Sequence, residues 1–507
     1  MHAAPTPTEP LCAALRADLD AAGYTAAAVR AAWGAVPDDA IGRGLIGPAL
    51  TALAPRDDAL AVLARLLFLG QPTPVTVADR ALSTLTSRGL VDLGLARIDG
   101  DDLVPTALVR PQDVDDEQGS GHWWIASDLD EAARGGALPV DHVLGVGGAS
   151  LTLAGLQLTA PADRVLDVGC GCGIQALRAR RVAAHVTATD ISRRALAFTE
   201  LNVLLNGLDG MQPRFGSLFE PVAGETFDRV VSNPPFVITP RVAGVPAYEY
   251  RDGGMAGDAL VESFVTGVAA VLAPGGVAQL LGNWEYRADA DGLERVREWV
   301  ERAPVPLEAW IVERELLDPL SYAELWVRDG GTTPGSSEYA RLIDAWLDDF
   351  AARGVTGIGF GYLLLRRPAS GTPTLARYER IAQPVPGALG PHLTEALAAW
   401  DRLTAMDDVA LAASTLTVAP DVTEARHHAP GEEDPRVIEL RQGGGFARTL
   451  EVDPGLAALV GACDGDLPVG VLIDAIADLL DVDAAALRAD LLPRVRELVF
   501  TGFLRLS

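Results

Sequence analysis

Residues 230–237 read VVSNPPFV, an apolar run of strand character that halts at Asn233, Pro234, Pro235 and Phe236. Two consecutive prolines remove two backbone donors and fix two φ angles, so after Asn233 the chain can neither continue in a central sheet nor begin a relaxed helix. A rigid loop must follow. Its parts suit the holding of a planar NH₂ group. The Asn233 side-chain carbonyl and the Pro234 backbone carbonyl can each accept one N–H, and Phe236 can stack on the flat face. An NPP step standing alone is more often a stiff turn, so its chemistry rests on what precedes it.

Upstream, VLDVGCGCG (165–173) is a strand that ends in a glycine-rich turn, with a helix beginning at Ile174. Gly169, Gly171 and Gly173 allow close approach of backbone to a ligand, and the helix start offers free amides. The dinucleotide fingerprint is GxGxxG, whereas this turn is GxGxG preceded by Asp167. A carboxylate at that strand end suits a ligand with a cationic amino group and repels a pyrophosphate. Asp190 closes the next strand, VTATD, about twenty residues on, where a carboxylate can accept both hydroxyls of a ribose.

These groups need a sheet whose strand ends face one crevice. From Val165, short β-rich runs alternate with helical segments, the pattern of a doubly wound α/β sheet. Strands are expected at RVLDVG, HVTATD, MQPRF, DRVVSN, VAQLLGN, LEAWIVE and IGFGYLLLR. They make one Rossmann-like, seven-stranded domain over 121–367, with a helical insertion around Ser336 to Arg353. Residues 1–120 read as a mainly helical domain. Its part TVADRALSTLTSRGLVDLGLARIDGDDLVP is winged-helix-like and reads as a protein-docking module, since its second helix carries only Arg80 and Arg88. The acidic segment PQDVDDEQGSG (111–121) reads as a linker, and Trp123 and Trp124 as residues that bury it or stack on a substrate. Residues 368–507 read as an α+β domain that ends in a second winged-helix-like module.

The ordered set DVGCGCG, ATD and SNPPF, each at the carboxyl end of an expected strand, resembles the class I S-adenosylmethionine-dependent methyltransferases. The stretch from NPPFVITPRVAGVPAYEYRDGGMAGDAL onward is similar to the HemK-type protein glutamine N5-methyltransferases and related methyltransferase small domain enzymes. The resemblance covers about Asp141 to Asn283, under a third of the chain. It implies S-adenosylmethionine as cofactor, with Asp190 on the ribose, Gly169, Gly171 and Gly173 behind the methionine moiety, and Asp167 at the strand end. It implies that Asn233 touches both cofactor and substrate, and that Ser150, in DHVLGVGGASLTLAGL, holds the methionine end. Where the family carries an acidic residue for the adenine amino group, this chain has Ser217 in GSLFEP. Leu218 and Phe219 would then hold adenine mainly by packing.

The implied reaction is methyl transfer to a planar NH₂ nitrogen, catalysed by positioning without a covalent intermediate. The acceptor favoured is a protein or peptide glutamine, for instance that of a release factor. An exocyclic base amine in rRNA, tRNA or DNA is the alternative, followed by a small metabolite or a non-catalytic role in S-adenosylmethionine-dependent regulation. The formal charge of −28 over 507 residues disfavours nucleic acid. A basic stripe built from Arg178, Arg180 and Arg181, or from Arg366, Arg367, Arg377 and Arg380, would reverse that. All 41 basic residues are arginine, with no lysine, a bias of composition rather than of chemistry. Cys170 and Cys172 have the wrong spacing for a zinc site and no disulfide framework is present. The pair His427 and His428 reads as a solvated loop, so no metal is expected. With no apolar stretch of membrane-spanning length, the protein is expected to be soluble and cytoplasmic, in an oligomeric state left open.

Overall fold

The β-rich runs after Pro161 pair into one eight-stranded sheet. The structure, a computed structural model, describes residues 4–506 except 117, 137, 247–250, 252 and 370. In chain order the strands are β1 (Ala162–Val168), β2 (Ala183–Asp190), β3 (Met211–Phe215), β4 (Phe227–Ser232), β5 (Leu272–Arg287), β6 (Glu308–Leu317), β7 (Val355–Arg366) and β8 (Ala376–Arg380). Across the sheet the order is β8-β6-β7-β5-β4-β1-β2-β3. Neighbouring strands run parallel, except that β7 is antiparallel to both β5 and β6. From β1 the chain winds outward to β2 and β3, then returns to lay β4 on the other side of β1. That reversal opens a crevice at the carboxyl ends of β1 and β4, where open α/β sheets bind ligands.

The seven expected strands are all present, and β8 is an addition at the edge. Its sequence, ARYER, lacks an apolar run. It pairs because β6 offers a free edge and because Trp310 Nε1 donates to Glu379 Oε1 at 2.7 Å, while Arg380 Nε donates to Glu313 Oε1 at 3.1 Å. In the sheet centre, Val165 to Val168 and Val230 to Ser232 are buried, as expected of parallel strands covered on both faces.

The segment expected as a linker is instead a hairpin. Ala107–Asp116 pairs antiparallel with Gly119–Asp128 through ten register partners. Its acidic tip reads as loop composition, but its base carries buried Val109, Trp123, Trp124 and Ile125. Trp124 Nε1 donates to Tyr24 O at 2.7 Å and Tyr24 Oη donates to Val109 O at 2.9 Å, tying the hairpin to the N-terminal helices. On its other side, helix Arg193–Leu205 presents Asn202, with Asn206 just beyond. Asn202 accepts from Ala126 N at 2.7 Å and donates to Ala126 O at 2.9 Å, and Asn206 does the same for Trp124 at 2.9 Å each way. One core therefore joins Leu15 and Leu19 of helix Glu9–Ala21, the hairpin, and Phe198 and Leu201.

Contacts divide the chain into two units, Met1–Ala154 with Pro161–Arg380, and Gly155–Ala160 with Ile381–Ser507. Within the first, strand Thr73–Pro74, helices Val75–Ala81 and Thr86–Asp92, and the hairpin Ala96–Asp99 and Asp102–Pro105 form a small sheet with Asp102–Pro105 in the middle. In the second, helices Val469–Leu480 and Ala484–Phe500 lead to strand Leu504–Leu506. That strand pairs with Thr415–Val418, which also pairs with Asp464–Pro468. His427 lies in a separate three-stranded sheet, its Nε2 3.1 Å from Glu439 Oε2. Among the described residues no helix is long and apolar enough to cross a membrane.

Candidate active site

The glycine turn after β1 is shaped by positive φ angles, 71° at Gly169, 55° at Gly171 and 83° at Gly173. A Cβ at Gly169 or Gly171 would meet nothing within 4 Å, whereas at Gly173 it would stand 3.0 Å from Thr199. The first two glycines thus leave open space above the strand end, and the third allows helix Arg193–Leu205 to close in beneath. The turn is held by that helix and by β2. Thr199 Oγ1 donates to Gly171 O at 3.0 Å, Asn202 Nδ2 donates to Cys172 O at 2.8 Å, and the Gly169 and Cys170 amides donate to Thr189 O.

Asp190, at the end of β2, accepts from Gly171 N at 3.0 Å through Oδ2 and from Ser192 N at 2.8 Å through Oδ1. It is thereby fastened to two loops at once. Asp167 lies beneath the turn, fully buried, with no hydrogen-bond partner on either carboxylate oxygen. Burial pushes its carboxyl up to about 8. The two cysteines are buried, and Cys170 Sγ lies 3.3 Å from Thr199 Oγ1.

Two cavities meet at the β4 end. The first, about 220 Å³, is lined by Gly169, Gly171, Asp190, Ser150, Ser217, Leu218, Asn233, Pro234 and Pro235, among others. The second, about 510 Å³, shares Ser150, Asn233, Pro234 and Pro235 with the first and adds Phe236, Arg251 and Trp326. Asn233 sits on the shared wall, and its Oδ1 is buried with no hydrogen-bond partner. Such an oxygen costs about 1–3 kcal/mol to leave unpaired, and it can accept from an N–H brought into either cavity. The loop it belongs to is stiffened further on, where Val237 N donates to Arg251 O at 2.9 Å and Ile238 N donates to Tyr322 Oη at 3.0 Å. Tyr322 Oη in turn accepts from Asn283 Nδ2 at 2.6 Å.

The residues singled out in the sequence do not all converge. Phe236 lines only the larger cavity, and its ring packs against Phe360 at 5.5 Å between centroids. Phe219 lines neither cavity and packs on Phe264 at 5.1 Å. Leu218 does line the smaller one, at a φ of 44° that is strained for a branched side chain. Gly173 and Asp167 support the turn from below. Ser150 borders both cavities, with its carbonyl accepting from Gln175 Nε2 at 2.7 Å. Trp123 and Trp124 belong to the hairpin and line neither.

Sequence reasoning missed His142, which borders both cavities. Burial holds its imidazole below the ordinary value, against the opposing pull of Asp128. Asp128 pairs with Arg194 and accepts from Val143 N at 2.9 Å, which fixes the segment 142–145 over the turn. The signal was faint, a lone histidine before a glycine-rich stretch.

As a test of fit, the site offers the groups that S-adenosylmethionine requires. It has open space over two glycines, a carboxylate at the second strand end, an apolar residue at 218, and an acceptor oxygen facing the neighbouring cavity. Residues 147–296 match the family described as methyltransferase small domain, and residues 21–106 and 396–506 match two domains of unknown function, DUF7059 and DUF7782. The release factor glutamine methyltransferase of Xylella fastidiosa (strain Temecula1 / ATCC 700964) is 36% identical over 134 residues, 25% of this chain and 48% of that protein. The ribosomal protein uL3 glutamine methyltransferase of Bordetella pertussis is 30% identical over 167 residues, 31% of this chain and 56% of that protein. The ribosomal RNA small subunit methyltransferase C of Mannheimia succiniciproducens is 43% identical over 74 residues, 14% of this chain and 22% of that protein. The chain spans about half the length of the release factor methyltransferases it matches. Residues 147–296 therefore carry a methyltransferase small domain, and over this stretch the chain is similar to HemK-like, S-adenosylmethionine-dependent class I methyltransferases.

Proposed function

We propose that the protein is an N-methyltransferase acting on a planar NH₂ nitrogen, with the side chain of a glutamine in a protein or peptide as its acceptor. Asn233 carries this reading, because its Oδ1 is buried, lacks a partner and stands on the wall between the two cavities. In the smaller cavity the Gly169 and Gly171 backbone, Ser150 and Asp190 would hold the methionine and ribose parts of the cofactor, with Ser217 and Leu218 at the adenine. Bound there, the cofactor supplies a sulfonium methyl group.

In the larger cavity, Asn233 Oδ1 and the Pro234 carbonyl accept the two N–H bonds of the acceptor. An amide nitrogen is a poor nucleophile because its lone pair is delocalised. Two acceptors hold the nitrogen so that its remaining lobe faces the methyl group, and they stabilise the positive charge that develops on it until one N–H proton leaves to solvent and a neutral N-methyl amide remains. Pro234 and Pro235 keep the loop from relaxing. The two relatives named glutamine methyltransferases support this acceptor.

An exocyclic base amine is the second reading, favoured by the relative named for ribosomal RNA. The arginines that could have formed a basic stripe weigh against it. Arg178 and Arg181 are bound to Asp116, Arg180 to Asp209, Arg366 to Glu308, Arg377 to Glu379, and Arg380 to Glu313 and Asp291. Arg367 donates to Leu272 O. With a net charge of −28, the chain suits a cationic protein partner in the cytoplasm better than a polyanion. Cell extract digested beforehand with protease or with nuclease, then incubated with the protein and methyl-labelled S-adenosylmethionine, tests the reading. Label should be lost with protease and kept with nuclease. The reverse would replace glutamine with a base amine, and no label in either would overturn the enzyme reading.

A further inference from the structure

The larger cavity has walls that the matched domain does not supply. Asp130 and Glu131 come from the chain just after the hairpin, and Asp329 from the end of helix Pro319–Asp329, all outside residues 147–296. The two segments meet across the cavity, since a Cβ at Gly331 would stand 3.6 Å from Glu131 Oε1. What these walls carry is negative charge in excess. Arg110 neutralises Asp130 at 2.6 Å, and Arg251 reaches Asp329 at 3.5 Å. Glu131 has no ion-pair partner among the described residues. Burial and the nearby charges of Asp329 and Asp130 raise its carboxyl above the ordinary value, opposed by Arg251. The carbonyl end of helix Pro319–Asp329 adds to the same negative field. A cavity of this size lies in the range of ligand sites, and it opens onto the unpartnered Asn233 Oδ1. One end therefore calls for a planar NH₂ and the rim calls for a cation.

We propose that the acceptor is a glutamine beside a basic residue in a polypeptide, the amide lying at Asn233 and the neighbouring guanidinium or ammonium lying against Glu131, the carboxylate that Arg110 and Arg251 leave in excess. This deepens the reading of the site as an amide clamp and rests on it. Both carboxylates are exposed at the rim, and Asp329→Asn keeps a side-chain oxygen that can accept from the buried Arg251.

The test compares glutamine peptides carrying arginine within three positions of the glutamine with the same peptides carrying citrulline, its uncharged isostere. Transfer of labelled methyl gives kcat and KM, and peptide binding to the protein with S-adenosylhomocysteine is measured by fluorescence anisotropy. The arginine peptide should bind about tenfold more tightly, with the gap in KM rather than kcat and shrinking at high salt. In the double variant Glu131→Gln, Asp329→Asn the two peptides should become equivalent within about twofold. Equal use of both peptides by the unaltered protein, or a gap that survives in the double variant, would overturn the cationic rim and leave the amide clamp standing. Failure to methylate either peptide alongside methylation of nuclease-sensitive material would overturn both.

Discussion

Asn233→Ala separates function from stability with unusual clarity. In most buried polar sites, truncation leaves a partner unsatisfied and destabilises the fold. Here the Asn233 oxygen has no partner to lose. Removing it relieves an unpaired carbonyl worth about 1–3 kcal/mol, set against the loss of a few side-chain contacts, so global stability should change by less than about 1 kcal/mol in either direction. The effect on transfer should be large. An acceptor aimed at developing charge contributes about 10²–10³ in rate, or about 3–4 kcal/mol of barrier. Affinity for S-adenosylmethionine should stay within about threefold, since the smaller cavity keeps its glycine turn and Asp190. Three measurements decide it: single-turnover methyl transfer, isothermal titration with S-adenosylhomocysteine, and denaturant unfolding. A rate loss below about tenfold would refute Asn233 as the clamp. A large loss of stability would show that its role is structural.

Other perturbations read the supporting parts. Asp190→Ala removes the acceptor for both the Gly171 and Ser192 amides, so cofactor affinity measured by titration should fall about a hundredfold, with Asp190→Asn intermediate. Asn202→Ala breaks three amide hydrogen bonds, two of them to the hairpin, and should cost about 3 kcal/mol in urea unfolding, while the exposed Arg88→Ala changes little. For Asp167, burial pushes the carboxyl from 3.8 to about 8, so the folded chain holds this proton more tightly than the unfolded chain. The stability it contributes is full below the unfolded value and is lost as pH rises through about 8. Between pH 5 and 7 the parent should therefore lose stability faster than Asp167→Asn, by about 1 kcal/mol per pH unit; parallel curves would mean that the carboxyl is already ionised.

Much of the matched domain was legible because its signals are local. A glycine turn needs positive φ where only glycine is comfortable, and two prolines stop a strand wherever they stand. Asp190 and Asn233 end strands that the β-rich pattern marks. What escaped was set by distant partners. Strand β8, ARYER, exists because β6 has a free edge, and nothing within its own five residues announces that. The segment 111–121 has the composition of a linker, yet residues 111–116 and 119–121 pair in the hairpin, whose base is held at Val109, Trp124 and Ala126 by Tyr24, Asn206 and Asn202 from elsewhere in the chain. Phe219 follows Leu218 directly, and sequence could not tell that consecutive side chains point one to the cavity and one to Phe264.

By itself the amino-acid sequence determined the α/β class, the order of the strand-end motifs and the stiffness of the Asn-Pro-Pro-Phe loop, since each is a property of neighbouring residues and their backbone preferences. Only the tertiary structure decided which oxygen is left without a partner, which arginines are already neutralised, and which carboxylates rim the larger cavity. Those depend on burial and on charges from residues 130 to 330 meeting in space, and electrostatic free energy follows distance and solvent access, which order along the chain does not carry.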